Sequence, residues 1–398
     1  MAVALFGEGI TTKALADCLG DVVFFDDNST EVTQNSNCCT VMPSCEFQPE
    51  AFEYAITSPG IPPSSLLVQK ADKLLSEYDF FASKMPRSVW ISGTNGKTTT
   101  TQMLTHILQD IKAQSGGNIG TPLALLNTAS ALWVLETSSF MLHYTNVAKP
   151  DIYVLLPVTP DHLSWHGDLK AYEEAKLKPL ATMQEGEVAL VPKRYENTPS
   201  NATLIGYEDT EDLAELFGIA IEKVNFKGAF LLDALLALAV KKILFDVVDY
   251  EAINSFVVEP HRQEELYDAK GRLWINDTKA TNPDAALAAL QSYEHESIHL
   301  ILGGDDKGVE LDGLFEYMQT RKIITYHIGR NAKRLDGYAK KYNIGFIRCD
   351  TLENAMQQIN KNLDKDEIAM LSPAAASLDQ FSSYKARGDL FKKIVATL

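Results

Sequence analysis

Cysteine is scarce in this chain. The five residues, Cys18, Cys38, Cys39, Cys45 and Cys349, form neither a disulfide framework nor a tetrahedral zinc-ligand spacing. Such usage predicts free thiols in a reducing cytoplasm. Long apolar runs are also missing, with nothing near the roughly 20 residues that cross a bilayer. The first residues, Met-Ala-Val-Ala-Leu-Phe-Gly-Glu-Gly, carry no basic segment and run straight into a strand-like stretch. Neither membrane insertion nor a secretory leader is therefore expected. Positive charge is in deficit, 36 Lys and Arg against 53 Asp and Glu, for a net charge of −17. That balance repels nucleic acid and anionic membrane surface, and any anionic substrate needs a local basic cluster. Internal repeats and low-complexity tracts are absent.

What remains is a chain of 398 residues, 45% of them hydrophobic, too long for one ordinary core. Apolar runs of strand length at 3–6, 22–25, 89–92, 131–135, 152–156 and 188–191 alternate with helical patterns, notably 169–183 and 229–241. Beyond 260 the same rhythm returns, with strands at 273–276, 299–302, 323–328, 345–348 and 368–371. This is an α/β pattern. Polar and proline signals at 78–86 and 257–260 read as linkers, which gives three α/β domains at 1–85, 86–258 and 259–398.

The densest chemical signal follows the strand at 89–92. Gly93-Thr94-Asn95-Gly96-Lys97-Thr98-Thr99 is a glycine turn leading into a helix. Glycines let backbone N–H groups close on phosphate oxygens, the helix N-terminus adds positive potential, Lys97 reaches the β and γ phosphates, and Thr98 can hold Mg²⁺. Glu136 ends another strand, where a carboxylate serves either as a metal ligand or as a solvated terminus. His162 follows a third strand, and an isolated histidine there is usually structural. Lys176, on a helix beside glutamates, reads as surface charge. The polar run Asp277, Lys279 and Thr281 at a strand end marks a site. Gly7-Glu8-Gly9 with Thr11, Thr12 and Asp26 has the spacing of a nucleotide-binding unit, although a lone Gly-x-Gly is as often a plain turn.

The phosphate loop, one residue shorter than the common form, resembles that of the Mur ligase superfamily, and the motifs after it extend the resemblance over the whole chain. It implies a Rossmann-like N-terminal domain, a central P-loop-type ATPase domain and a C-terminal Rossmann-like α/β domain. It further implies an amide-bond ligase that forms an acyl phosphate from ATP. Lys97, His162 and Lys176 would be catalytic, and Gly93 through Thr99 with Arg262 and Asp277 would bind ATP. Two Mg²⁺ ions would be held by Thr98, Glu136, His162 and Lys176, the last as a carbamate formed with CO₂, with Lys178 the competing lysine. Lys307 in Gly303-Gly304-Asp305-Asp306-Lys307-Gly308 and Ser377 in the run from Ser372 to Arg387-Gly388-Asp389 resemble the branch that adds D-glutamate. That amino acid would meet Lys279, Thr281, Lys307, Ser377 and Tyr384. The acceptor would be UDP-N-acetylmuramoyl-L-alanine, held by Thr11, Thr12, Asp26, Ser58, Gly60, Asn118 and Ser138. The Asp-Asn-Pro-Arg motif of the diamino-acid branch is absent.

Three positions depart from the family pattern: Gly228 stands where an asparagine usually contacts adenine, Met141 replaces a glutamine and Tyr384 a phenylalanine. The rival readings are folylpolyglutamate synthetase, which lacks a separate uridine-nucleotide domain, a non-catalytic P-loop switch, and a dehydrogenase suggested by the first domain alone. A cytoplasmic monomer is expected.

Overall fold

Each apolar run read as a strand forms one in the computed structural model, with ends within two residues of those expected. The structure describes residues 2–35, 39–293, 295–306 and 308–398, with the backbone alone at Ser164. Three six-stranded sheets are found among these residues.

The first sheet comprises β1 (Ala2–Phe6), β2 (Val22–Asp26), β3 (Thr33–Gln34), β4 (Thr40–Pro43), β5 (Phe52–Thr57) and β6 (Leu74–Leu75), in the order β3-β4-β2-β1-β5-β6. The second comprises β7 (Ser88–Ser92), β8 (Gln114–Gly117), β9 (Trp133–Glu136), β10 (Ile152–Leu155), β11 (Val188–Pro192) and β12 (Thr203–Tyr207), in the order β12-β11-β10-β7-β9-β8. All pairings of the second sheet are parallel. Its middle strands read as continuous apolar runs because helices cover both faces: Val89, Trp90 and Ile91 are completely buried. The third sheet comprises β13 (Glu264–Tyr267), β14 (Leu273–Asn276), β15 (Ser297–Gly303), β16 (Ile323–Ile328), β17 (Gly345–Asp350) and β18 (Glu367–Leu371), in the order β13-β14-β18-β15-β16-β17. Only its edge pair β13–β14 is antiparallel.

The chain gathers into two compact units, Met1–Phe226 with Phe230–Phe256, and Lys227–Ala229 with Val257–Leu398. In the first unit one apolar cluster runs from Leu5 and Phe24 of the first sheet to Trp90 and Trp133 of the second. The stretch 78–86, expected to be a linker, is not one throughout. It begins inside a helix, Glu77–Phe81, whose Ser76 caps the Asp79 N–H and whose Tyr78 and Phe81 are buried in that cluster. The buried aromatic face outweighs the polar and proline signals that follow it. In the second unit the sheet has an apolar cluster on each face. No helix among the described residues is long and apolar enough to cross a membrane.

Candidate active site

β7 delivers the chain into the phosphate loop, and two glycines there have no room for a side chain. A Cβ on Gly93, at φ 142°, would lie 2.5 Å from Leu156 Cβ, and one on Gly96, at φ 83°, would lie 2.4 Å from Asp233 Oδ1. The helix Lys97–Ile107 then begins, so its first N–H groups face the loop. Thr94 anchors the turn: its hydroxyl donates to Thr159 O at 2.9 Å, accepts from Thr159 N at 2.9 Å and lies 3.0 Å from the Tyr172 hydroxyl. Lys97 Nζ donates to Gly93 O at 3.0 Å and Thr94 O at 2.8 Å.

Lys176 is where the sequence reading of a surface charge fails. The helix Leu169–Thr182 turns Tyr172, Ala175, Lys176, Pro179 and Leu180 inward, and Lys176 is 1% exposed. Its Nζ donates to the same Gly93 carbonyl at 2.7 Å and sits 4.6 Å over the Tyr172 ring. Burial, and then the Lys97 charge, hold its ammonium well below the usual lysine range, against the opposing pull of Asp161 and Glu136. Two residues on, Lys178 faces elsewhere and donates to His143 O.

Glu136, at the end of β9, is 2% exposed. Its Oε1 accepts from Asn118 Nδ2 at 2.6 Å, while Oε2 is buried with no hydrogen-bond partner. His162 is exposed at φ 53°, with Nε2 3.4 Å from Asp161 Oδ2 and its ring edge-on to Phe140 at 4.8 Å. Ser138 caps the helix Ser139–Tyr144 by accepting from Met141 N. Thr98 is partly exposed on the first turn of its helix. Among the described residues, no three His, Cys, Asp or Glu side chains converge as a ready cation cage. A cation here would complete its shell with phosphate oxygens and water, as Mg²⁺ commonly does.

In the first sheet the glycine turn after β1 meets the loop after β5. Thr12 is fully buried and its hydroxyl donates to Gly7 O at 2.5 Å, which makes it a brace of the turn, whereas Thr11 lines a small cavity with Pro59, Met141 and Tyr144. Asp26 accepts from Glu8 N at 3.3 Å and Asn28 N at 2.8 Å. Ser58 Oγ would stand 3.0 Å from a Cβ on Gly9, and Gly60 is exposed beside it. Tyr144 donates to Ile61 O at 2.6 Å.

In the second unit, Asp277 sits just past β14, 6% exposed. Burial pushes its carboxyl up to about 7, opposed by the Ser372 hydroxyl at 2.7 Å, Gln263 N at 3.2 Å and the Arg262 charge. Lys279 Nζ lies 4.3 Å over the Tyr384 ring, so these two sequence candidates do meet. Ser377 is buried at the turn after β18, and Thr281 is exposed just before Asn282, which caps the helix Pro283–Gln291. Lys307 lies outside the described residues.

Sequence reading missed several residues that hold these groups. Tyr172 and Asp233 brace the phosphate loop, the latter accepting from Thr100 Oγ1 at 2.8 Å. Arg387, 1% exposed, was quoted in a motif without a role. It donates to Thr278 Oγ1, Thr278 O and Ala375 O at 2.8–3.1 Å and to Gly303 O at 3.4 Å, tying together the ends of β14, β15 and β18. The inward register of helix 169–182 was the available signal for Tyr172; Asp233 lies 133 residues from Thr100, and Arg387 lies 109 residues from Thr278.

Comparison with known proteins extends this picture. Residues 91–224 match the Mur ligase middle domain. The UDP-N-acetylmuramoylalanine--D-glutamate ligase of Campylobacter jejuni is 52% identical over 399 residues, covering 99% of both chains. The protein of the same name from Helicobacter pylori is 45% identical over 419 residues, again covering 99% of each. Among solved structures, the MurF ligase of Thermotoga maritima in complex with ADP is similar at a TM-score of 0.57 and 17% identity, over 94% of this chain and 95% of that one, a likeness of fold. On the full-length identity, this chain belongs to the Mur ligase family, within its UDP-N-acetylmuramoylalanine--D-glutamate ligases.

Proposed function

We propose that this chain joins D-glutamate to UDP-N-acetylmuramoyl-L-alanine in the cytoplasm, using ATP to activate the acceptor's carboxylate for peptidoglycan precursor synthesis. The observation that carries the reading is the full-length 52% identity to a ligase of that name. The convergence of Lys97 and Lys176 on Gly93 O supports it from the chemistry, since it brings two lysine side chains to a phosphate loop in a strongly acidic protein.

In the first step a carboxylate oxygen of the acceptor attacks the γ-phosphorus in line, the bond to the β-γ bridging oxygen breaks, and an acyl phosphate and ADP form. Loop N–H groups and Lys97 offset the charge on the phosphoryl oxygens, so positioning and electrostatics do most of the work. Thr98, Glu136 and His162 supply hydroxyl, carboxylate and imidazole donors for Mg²⁺, and the unpartnered Glu136 Oε2 is an atom that such an ion would satisfy. When bound, the ion would polarise phosphate oxygens. Lys176 is the candidate for carboxylation: its depressed ammonium favours the neutral amine, whose lone pair adds to the carbon of CO₂ as a proton leaves to solvent.

In the second step the D-glutamate amine attacks the acyl carbon, the acyl–phosphate bond breaks with inorganic phosphate leaving, and the amine proton passes to a nearby base. Lys279, Thr281, Lys307, Ser377 and Tyr384 are assigned to the amino acid, Asp277 and Arg262 to the nucleotide, and Thr11, Asp26, Ser58, Gly60, Asn118 and Ser138 to the UDP-sugar.

The test is phosphate release from ATP and Mg²⁺ with UDP-N-acetylmuramoyl-L-alanine, comparing D-glutamate with L-glutamate, meso-diaminopimelate and L-lysine. Release with D-glutamate alone, and a product heavier by one glutamyl residue, is expected. Preference for another amino acid or a folate acceptor would overturn the substrate assignment.

A further inference from the structure

The short helix Glu77–Phe81 reaches the site from behind. Tyr78 is 1% exposed, stands edge-on to Trp90 at a ring distance of 4.8 Å, and donates its hydroxyl to Glu136 O at 3.3 Å. The same carbonyl accepts from Asn118 N at 2.9 Å, and the Asn118 side chain in turn donates to Glu136 Oε1. Between them Gly117 is closed in: a Cβ there would lie 2.4 Å from Glu136 O and 2.7 Å from the Tyr78 hydroxyl. The far end of this loop is held by the neighbouring residue, since Glu77 Oε1 accepts from Ala124 N at 3.2 Å. Glu77 Oε2 is buried beside the small cavity under Thr11 and Pro59 and has no hydrogen-bond partner.

The helix is itself fixed. Ser76 caps it and accepts from Thr145 Oγ1 at 3.0 Å, and the Asp79 carboxylate accepts from the N–H groups of Asn146, Val147 and Ala148, each at 2.8 Å. Glu77 therefore holds the Ala124 end of the loop that carries Asn118, and Tyr78, the next residue on the same rigid turn, holds the Glu136 carbonyl to which the Asn118 N–H is bound.

We propose that Glu77 and Tyr78 form a clamp that positions the Asn118 amide and the Glu136 carboxylate, leaving the unpartnered Oε2 of Glu136 to serve the cation. The inference rests on the proposed ligase reading, in which Glu136 serves a divalent cation. With the Tyr78 hydroxyl removed, the carbonyl keeps its bond from Asn118 N. The fold persists while the carboxylate loses its fixed aim.

The test uses the full chain with Tyr78→Phe, which preserves the buried ring. With ADP present and no turnover possible, half-saturation by Mn²⁺ read by electron paramagnetic resonance should rise about three- to tenfold, the worth of one buried hydrogen bond. The Mg²⁺ concentration for half-maximal ligase rate should rise by the same factor, and KM for D-glutamate should stay put. Glu77→Leu should weaken binding of UDP-N-acetylmuramoyl-L-alanine measured by calorimetry without ATP, and Glu77→Gln, which keeps the acceptor for Ala124 N, should recover it. A cation-dependent wild type matched by Tyr78→Phe in both metal constants overturns the clamp alone. A wild type that turns over without any divalent cation overturns the role of Glu136 and the clamp with it.

Discussion

Replacing Asp277 by asparagine should stabilise the second unit at neutral pH while impairing the enzyme. Burial raises this carboxyl to about 7, against an unfolded value of about 3.9. At roughly 1.36 kcal/mol per unit, a rise of about 3 units means that the ionised carboxylate costs on the order of 4 kcal/mol of folding free energy. The sign follows from proton binding. Between pH 4 and 7 the folded state holds the proton more tightly than the unfolded chain, so stability is fully present below pH 4 and falls as pH rises through 7. Asparagine has no such titration. It can accept from Gln263 N and donate to a turned Ser372 hydroxyl, losing about 1 kcal/mol at most in imperfect geometry. The variant should therefore exceed the wild type by about 3 kcal/mol at pH 8, and the gap should close by about 1.4 kcal/mol per unit from pH 7 to 4. Hydrogen exchange of peptides covering β14 and β18, compared at each pH, reads this locally without assuming two-state unfolding of a two-unit protein. A gap that does not vary with pH, or a variant less protected at pH 8, would refute the reasoning. Loss of ATP-dependent turnover in a more stable variant is the expected trade between site and stability.

Gly93→Ala combines a left-handed backbone, costing about 1–3 kcal/mol, with a Cβ forced to 2.5 Å from Leu156. Its ADP affinity by calorimetry should fall at least about tenfold, and wild-type affinity would contradict the close-approach argument. Lys176→Ala should nearly abolish turnover and recover in part with acetate or another short carboxylate, whereas Lys178→Ala should retain most activity; full activity of Lys176→Ala without rescue would remove the carbamate from the mechanism. Arg387→Met strips the donor from Thr278 O, Ala375 O and Gly303 O. With roughly 1–3 kcal/mol for each orphaned buried acceptor, the second unit should lose roughly 3 kcal/mol or more, seen as faster exchange around β14, β15 and β18. A loss under about 1 kcal/mol would mean that these carbonyls find other partners.

What the sequence disclosed and what it hid divide along the range of the interactions. The phosphate loop was legible because its chemistry is local: strand, glycines, lysine and helix start fall within eleven residues. The central strands were legible for a related reason, since parallel strands covered on both faces must be apolar throughout. Edge strands such as β8, Gln-Ser-Gly-Gly, carry no such mark. The linker misreading at 78–86 had a local remedy, because Ser76-Glu77-Tyr78-Asp79 has the serine and acidic residue of a helix start. The partner of Asp277 had none, with Ser372 95 residues on.

Lys176 shows the limit most sharply. Nothing in Glu173-Glu174-Ala175-Lys176-Leu177-Lys178 separates one lysine from the other. The 200° turn between them on the helix sends one to Gly93 O and the other to His143 O. That outcome is set by what packs against the helix, and a helical wheel drawn through Tyr172, Ala175, Pro179 and Leu180 would have placed Lys176 on the buried side. Burial and the Lys97 charge both disfavour the ammonium form there, which leaves the side chain toward the neutral amine that the proposed chemistry uses. In the proposed carbamate the repulsion between these lysines becomes attraction, and the buried charge acquires a partner.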